Sequence, residues 1–334
     1  LLTNWVRAGD GIMVSQTSGT PMDIVDWPAG ERDGYVLTTV NTVVNAFHYQ
    51  ALRQMAMIAT VLGNIAEAAD FTARADTLQV SFNNVFWNAA SQLYQDGETT
   101  THISAHANFF PLAFGLVPSQ RVASVVSFLK SKRMPCSVYG AQYLLEALFE
   151  AGEADHAIGL MADNDPAYKR HWWNMIVEGS TVTLEAWDND FKPNLDWNHA
   201  WGAAPGNIIP RYVLGLKPLT AGYGVVEIKP QLGTGVSTNG LTSAAGTIPT
   251  IRGPVTISAE NATNSFKLLV TIPGNMTANV VLPTKNLANA VALVDGNIVT
   301  GEIFNGWLSI TNVGSGQHAV WLAAERIKQG DDVL

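Results

Sequence analysis

The sequence predicts a helical domain over residues 1–218 followed by a β-sandwich over residues 219–334. Three observations predict it. Between Val36 and Leu214, apolar residues recur every three to four positions, the spacing that gathers them on one face of a helix. After Pro218 the pattern changes to short alternating or β-branched runs, separated by Gly, Asn and Pro about every ten residues. Between the two, Gly215-Leu216-Lys217-Pro218 closes the last helix and puts the boundary near residues 216–222.

The first helix is expected over Val36–Leu62, where Val40, Val44, Phe47, Ala51, Met55 and Ile58 form a stripe and Gly63 supplies the stop. The second is expected over Ala66–Phe86, with Phe71, Ala75, Leu78 and Phe82 on one face. A turn over Gln92–Thr101 leads to a third near Ser104–Leu116, kinked at Pro111 and ended by Pro118. Ser119 offers an N-cap to a fourth, running to about Lys130. A fifth follows over Tyr139–Glu150, ended by Ala151-Gly152, then a sixth over Glu153–Met161. The seventh runs from near His199 to Leu214-Gly215, after a stretch that is only partly helical. Consecutive helices joined by short loops suggest an α/α solenoid or closed toroid, and the absence of a fixed-period repeat disfavours a regular solenoid. The strands of the second domain are expected at 225–230, 247–251, 255–258, 265–272, 278–282, 290–294, 307–311 and 319–322.

The composition narrows what such a chain does. A net charge of -9 and a pI near 5.2 give phosphates no basic stripe, so no nucleic-acid partner is expected. Apolar runs fall well short of a bilayer span, so no transmembrane helix and no membrane partner are expected. The single cysteine, Cys136, excludes an internal disulfide and reads as a small buried hydrophobe. Low Lys with abundant Ser, Thr and Asn suits a secreted protein. Two sequons, Asn261-Ala262-Thr263 and Asn275-Met276-Thr277, are near what chance delivers.

Five of the ten tryptophans fall between Trp172 and Trp201, together with Glu178, Glu185, Asp188, Asp190, Asp196 and His199. Aromatic faces stack on the apolar faces of sugar rings, while carboxylates bond hydroxyls and move protons. The stretch therefore reads as one wall of a carbohydrate cleft, with an aromatic packing seam between domains as the plainer alternative. Glu185 is the strongest candidate for a general base, because the neighbouring Trp187 desolvates its carboxyl. His199, between Trp197 and Trp201, is placed to donate to a sugar hydroxyl, or else is a helix-start histidine satisfied locally. Asp188, Asp190 and Asp196 lack EF-hand spacing and read as solvated or capping residues. His102 and His106 share a helix face without a third ligand, so no metal and no cofactor are expected.

A second cluster, Asp23-Ile24-Val25-Asp26-Trp27-Pro28 through Glu31-Arg32-Asp33-Gly34-Tyr35, again frames charged groups with aromatics. Asp26, Glu31 and Asp33 read either as ligands to a polyhydroxylated molecule or as a charged turn capping the next helix. An Asp26/Glu31 pair facing Glu185 would supply the two carboxylates a glycosidase needs.

Together with Asn41-Thr42-Val43-Val44-Asn45-Ala46-Phe47, Tyr139-Gly140-Ala141-Gln142-Tyr143-Leu144-Leu145-Glu146-Ala147-Leu148, Leu184-Glu185-Ala186-Trp187-Asp188 and Asn194-Leu195-Asp196-Trp197-Asn198-His199-Ala200-Trp201-Gly202-Ala203-Ala204-Pro205, these stretches resemble α-L-rhamnosidases of glycoside hydrolase family 78. Ile228-Lys229-Pro230 and Pro249-Thr250-Ile251-Arg252-Gly253 carry the resemblance into the second domain.

The resemblance implies an (α/α)6 toroid followed by an antiparallel β-sandwich, and inverting release of terminal α-L-rhamnose from rhamnosides or plant glycans. Glu185 matches the general base. Trp187, Trp197, His199 and Trp201 match the rhamnose lining, and Asp26 and Trp27 resemble another sugar-contacting pair, with Arg32, Asp33 and Tyr35 beside them. The family's acid segment, Asp-x-Pro-x-x-Asp-Glu-Arg followed by Gly-Trp-x-Gly-Asp, is one residue longer than Asp26–Arg32. That leaves Glu31 as a possible acid only, since Thr38 stands where the segment's last Asp would fall. The region fits better as the family's later Asp-Trp motif. A six-hairpin toroid has twelve helices, and about seven are readable here. The helical domain is therefore expected to be incomplete at its N-terminus, with the acid before Leu1 and the N-terminal part of the same enzyme as partner, beside a rhamnose-containing glycoside. Two other readings stay open. One is a lyase acting on rhamnose–uronate linkages, with Arg32 or Arg170 neutralising the uronate; the other is a non-catalytic sugar-binding protein.

Overall fold

The computed structural model describes residues 5–14, 23–234, 240–284, 287 and 290–324; Leu1–Asn4, on which the reading of the chain's start rests, lie outside them. The described residues group into two compact units. One comprises residues 1–152 and 162–204, the other residues 153–161 and 205–334.

In the first unit, helices α1 (Thr42–Val61) and α2 (Ile65–Val85) form an antiparallel hairpin. A two-stranded turn follows, β1 (Trp87–Asn88) with β2 (Leu93–Tyr94), and then α3 (His106–Ala113), α4 (Ser119–Ser131) and α5 (Val138–Glu150). Periodicity places the start of α1 at Val36, but the residues before Thr42 are extended. The Tyr35 hydroxyl donates to the Asp96 carbonyl at 2.7 Å, and the Val36 N–H donates to the Asp96 carboxylate at 2.8 Å. These bonds hold the segment open until Asn41 caps the helix by accepting from the Val44 N–H at 2.9 Å. Ser119 does not cap α4 but begins it, with Pro118 in the cap position. Phe47, Phe110, Phe114 and Tyr143 bring α1, α3 and α5 together in one aromatic cluster, with ring centroids 4.9–6.1 Å apart.

The second unit takes α6 (Ala154–Met161) out of the helical stretch of sequence. Its Ala157, Ile158 and Leu160 are buried, and Asp155 accepts from the Thr234 N–H at 3.0 Å. Back in the first unit, α7 (Trp172–Val177) lies within the tryptophan-rich stretch. The last helix of the sequence is three short pieces: a 3-10 turn over Ala200–Ala203, α8 (Ala204–Ile208) and a π turn over Ile209–Val213. Pro205 and Pro210 lack the N–H that a continuous helix would need there.

Strands β3 (Leu216–Pro218), β4 (Val225–Ile228), β5 (Ser243–Thr250), β6 (Gly253–Ala262), β7 (Ser265–Ile272) and β8 (Thr277–Pro283) come next. They are followed by β9 (Ala290–Val294), β10 (Asn297–Val299), β11 (Glu302–Phe304), β12 (Trp307–Val313) and β13 (Gly316–Ala324). They form a six-stranded sheet, β10-β9-β13-β7-β6-β5, and a five-stranded one, β11-β12-β8-β4-β3. Alternation in β6 and β7 turns Val255, Ile257, Phe266, Leu268 and Val270 inward, while Thr256, Glu260 and Leu269 stay exposed. Pairing is antiparallel except between β4 and β8, which run parallel because β5, β6 and β7 intervene in the other sheet. Among the described residues, no helix is long and apolar enough to cross a membrane.

Candidate active site

The segment 183–185 is fastened to residues 196–199 as if the two were short strands. Glu185 N–H donates to the Asp196 carbonyl at 3.1 Å, His199 N–H to the Thr183 carbonyl at 2.9 Å, and the Thr183 hydroxyl back to the His199 carbonyl at 2.9 Å. Gly202 permits this closeness, since a Cβ there would lie 2.7 Å from the Leu184 carbonyl oxygen. The clamp brings one ligand atom from each of Glu185, Asp196 and His199 within 4.8 Å of the others, a set of three that could hold a cation. A positive charge already stands there: Lys192 Nζ lies 2.9 Å from Glu185 Oε2, with the two side chains 13% and 12% exposed.

Glu185 Oε2 also accepts from the Asp196 N–H at 2.9 Å, so both protein bonds to this carboxylate fall on one oxygen. Burial acts to raise its pKa, but the Lys192 ammonium and the Asp196 N–H outweigh that and hold it below the ordinary glutamate value. The carboxylate is thus ionised at neutral pH, and among the described residues its bonds fall on Oε2. His199 Nδ1 accepts from the Trp201 N–H at 3.1 Å, which puts the proton of the neutral ring on Nε2, as a donor. The His199 ring packs at a tilt against Trp201, centroids 4.8 Å apart, and Trp201 against Tyr139 at 5.5 Å.

From Trp201 the wall opens into a cleft of about 380 Å³ lined by Ile24, Val25, Asp26, Trp27, Phe47, Tyr139 and Trp201. Two clusters far apart in sequence thereby meet: Trp27 of the first and Trp201 of the second, 43% and 38% exposed. Trp197 is exposed as well. Tyr139 and Phe47 complete the lining, and Lys192 pairs with Glu185; the sequence pattern named none of the three as site residues. Tyr139 and Phe47 did stand in the motifs that carried the resemblance, each an aromatic in the first two turns of a helix.

Several residues expected on the lining turn out to support it from behind. Trp187 is fully buried, donates from Nε1 to the Cys136 carbonyl at 2.8 Å and packs edge-on against Trp172 at 5.0 Å. It belongs to the core, because its one polar atom finds its partner there. Tyr35 is buried on Asp96, and Asp33 accepts from the Ala105 N–H at 2.8 Å and pairs with Lys132 at 3.1 Å. Glu31 is 1% exposed and held by Arg170, with Nε 3.0 Å from Oε2 and Nη2 3.1 Å from Oε1. Burial raises its pKa despite that arginine. Arg170 also lies over the Phe191 ring at 4.6 Å, and Arg32 donates to the Asp26 carbonyl at 2.7 Å. Asp188 is buried and pairs with Lys169 at 3.1 Å.

An acid-and-aromatic cleft carried on paired helices, with a sandwich next in sequence, is the build of a six-hairpin glycosidase domain. The chain belongs to the bacterial alpha-L-rhamnosidase family: the 6 hairpin glycosidase domain matches residues 2–213 and the C-terminal domain residues 215–292. The chain is similar to an alpha-L-rhamnosidase of Formosa agariphila, 27% identical over 279 residues that cover 79% of this chain and 28% of that protein. It is similar to one of Alteromonas sp. strain LOR, 27% identical over 307 residues, covering 84% and 31%. In fold it resembles the alpha-L-rhamnosidase from Dictyoglumus thermophilum, with a TM-score of 0.70, 22% identity, and 83% and 31% of the two chains covered. For the Streptomyces avermitilis alpha-L-rhamnosidase complexed with L-rhamnose the values are 0.67, 23%, 90% and 29%. The chain thus spans less than a third of the length of these proteins.

Proposed function

We propose that this chain supplies the base-bearing wall of an inverting α-L-rhamnosidase, acting on terminal α-L-rhamnosides. One observation carries the reading: an ionised Glu185, bonded through Oε2 alone, sits beside the donor His199 and the exposed Trp201. In this reading Glu185 Oε1 takes a proton from the water that attacks the anomeric carbon, His199 Nε2 donates to a sugar hydroxyl, and Trp27 and Trp201 stack on the ring. Glu31 is left out of the acid role, since Arg170 occupies its carboxylate.

The proton donor then comes from a further segment of the same enzyme, the partner proposed for this chain. What supports that partner is apolar surface at the α1–α2 turn, where Val61, Leu62 and Ile65 are 80%, 68% and 68% exposed. Low Lys, abundant Ser, Thr and Asn and an acidic pI also favour secretion, which fractionation of producing cells would test.

The decisive measurement is release of rhamnose from an aryl α-L-rhamnoside. Glu185→Gln is expected to lower kcat by about 10²–10⁴-fold. Unchanged turnover would remove Glu185 as base, and an inert wild type would favour the lyase or the binding-only reading.

A further inference from the structure

The Asp26 carboxylate stands where three segments meet. Oδ1 accepts from the Trp27 N–H at 2.8 Å and from the Ser137 hydroxyl. Oδ2 accepts from the Ser137 N–H at 3.0 Å and pairs with His106 Nε2 at 2.8 Å. A carboxylate offers about four acceptor positions. All are taken by protein, and none is left for a sugar hydroxyl.

The side chains of Asp26 and His106 are both 0% exposed. His106 Nδ1 is buried without a hydrogen-bond partner, so among the described residues the polar contact of this ring is Asp26. The ring otherwise packs against Phe109 and Phe110, centroids 4.9 and 6.2 Å away. Nothing in these contacts reaches a ligand. What the carboxylate joins is informative, however. Trp27 follows it directly, and Ser137 is the N-cap of α5, accepting from the N–H groups of Tyr139 and Gly140. Trp27 and Tyr139 are two of the aromatic walls of the cleft. The approach of α5 is close enough that a Cβ on Gly140 would lie 2.7 Å from Asp26 Oδ2.

We infer that Asp26 and His106 are positioning residues: their buried pair joins the Trp27 loop to the start of α5 and so sets the spacing between the walls of the cleft. The kinetic half of its test rests on the rhamnosidase reading; the structural half does not. The variants are Asp26→Asn, His106→Gln and the double variant. Each is assayed on an aryl α-L-rhamnoside, and for acrylamide quenching of Trp27, taken as the difference from the same protein carrying Trp27→Phe.

Asp26→Asn and His106→Gln are each expected to raise KM by about tenfold with a smaller change in kcat, and to raise Trp27 quenching. The double variant is expected to be no worse than the weaker single one, because both break the same joint. Wild-type KM and quenching in His106→Gln would overturn the inference, as would double-variant effects that multiply. If Asp26→Asn does not fold, His106→Gln decides, since it removes one bond of the four and leaves the Ser137 cap of α5 in place: raised quenching supports the joint and unchanged quenching refutes it. A wild type that leaves the rhamnoside intact ends the rhamnosidase reading, and the quenching comparison alone then judges the joint.

Discussion

Lys192 keeps the Glu185 carboxylate charged. With the pKa of the carboxyl held below the ordinary glutamate value, an activity that needs this carboxylate ionised is expected to fall as the pH drops through that depressed value. Lys192→Met withdraws the strongest lowering influence, so the acid limb of kcat/KM is expected to move to higher pH. The sign for stability is the same. A depressed carboxyl contributes above its unfolded value, and that contribution is lost as the pH falls through the folded one. Superimposable acid limbs in wild type and variant would show that the ammonium does not tune this carboxylate. A carboxylate among tryptophans singles out Glu185 in the sequence; its ion-pair partner Lys192 was not legible, because a lysine seven residues on from Glu185 reads as a solvated charge. Trp187 was misplaced for a related reason. Sequence shows that a tryptophan needs a partner for its N–H, but not that the Cys136 carbonyl, fifty-one residues away, provides it.

Among the elements, the clamp between residues 183–185 and 196–199 depends on Gly202 having no side chain. Gly202→Ala would push a methyl to 2.7 Å from the Leu184 oxygen and 2.8 Å from the Thr183 Cβ. Relieving that contact parts the two segments and carries Glu185 away from His199. A destabilisation of about 1–3 kcal/mol is expected, with a loss of activity larger than stability alone explains. Thermal melts and kinetics on the same preparation check it, and a variant with wild-type kcat would show that the clamp tolerates the methyl. Helix existence was well signalled by the 3.6-residue period, down to α5 and α6. Boundaries were not, because they were decided by distant partners. Asp96 holds Tyr35 and Val36 extended, and no local pattern near Val36 announces a residue some sixty positions on. The parallel β4–β8 pair was equally hidden, since alternation specifies faces but not neighbours.

For the whole molecule, the apolar end of the α1–α2 hairpin makes a prediction about mass. If that surface is covered by another segment of the same enzyme, the native protein is expected to be heavier than the 35.9 kDa of this chain. Native mass spectrometry showing only the 35.9 kDa species would sink the partner. The sequence told a two-part story with one seam near residue 218, whereas residues 153–161 group with residues 205–334 and residues 162–204 return to the first unit. The buried face of α6 and its Asp155–Thr234 bond show why: that helix is part of the second unit's own packing. One consequence concerns anyone who would take the molecule apart. The chain passes between its two units three times, so no single scission releases either one whole. A sandwich excised after residue 218 would leave without α6 and without its Asp155–Thr234 bond. Swapping this sandwich between relatives therefore means moving two separate stretches of gene together.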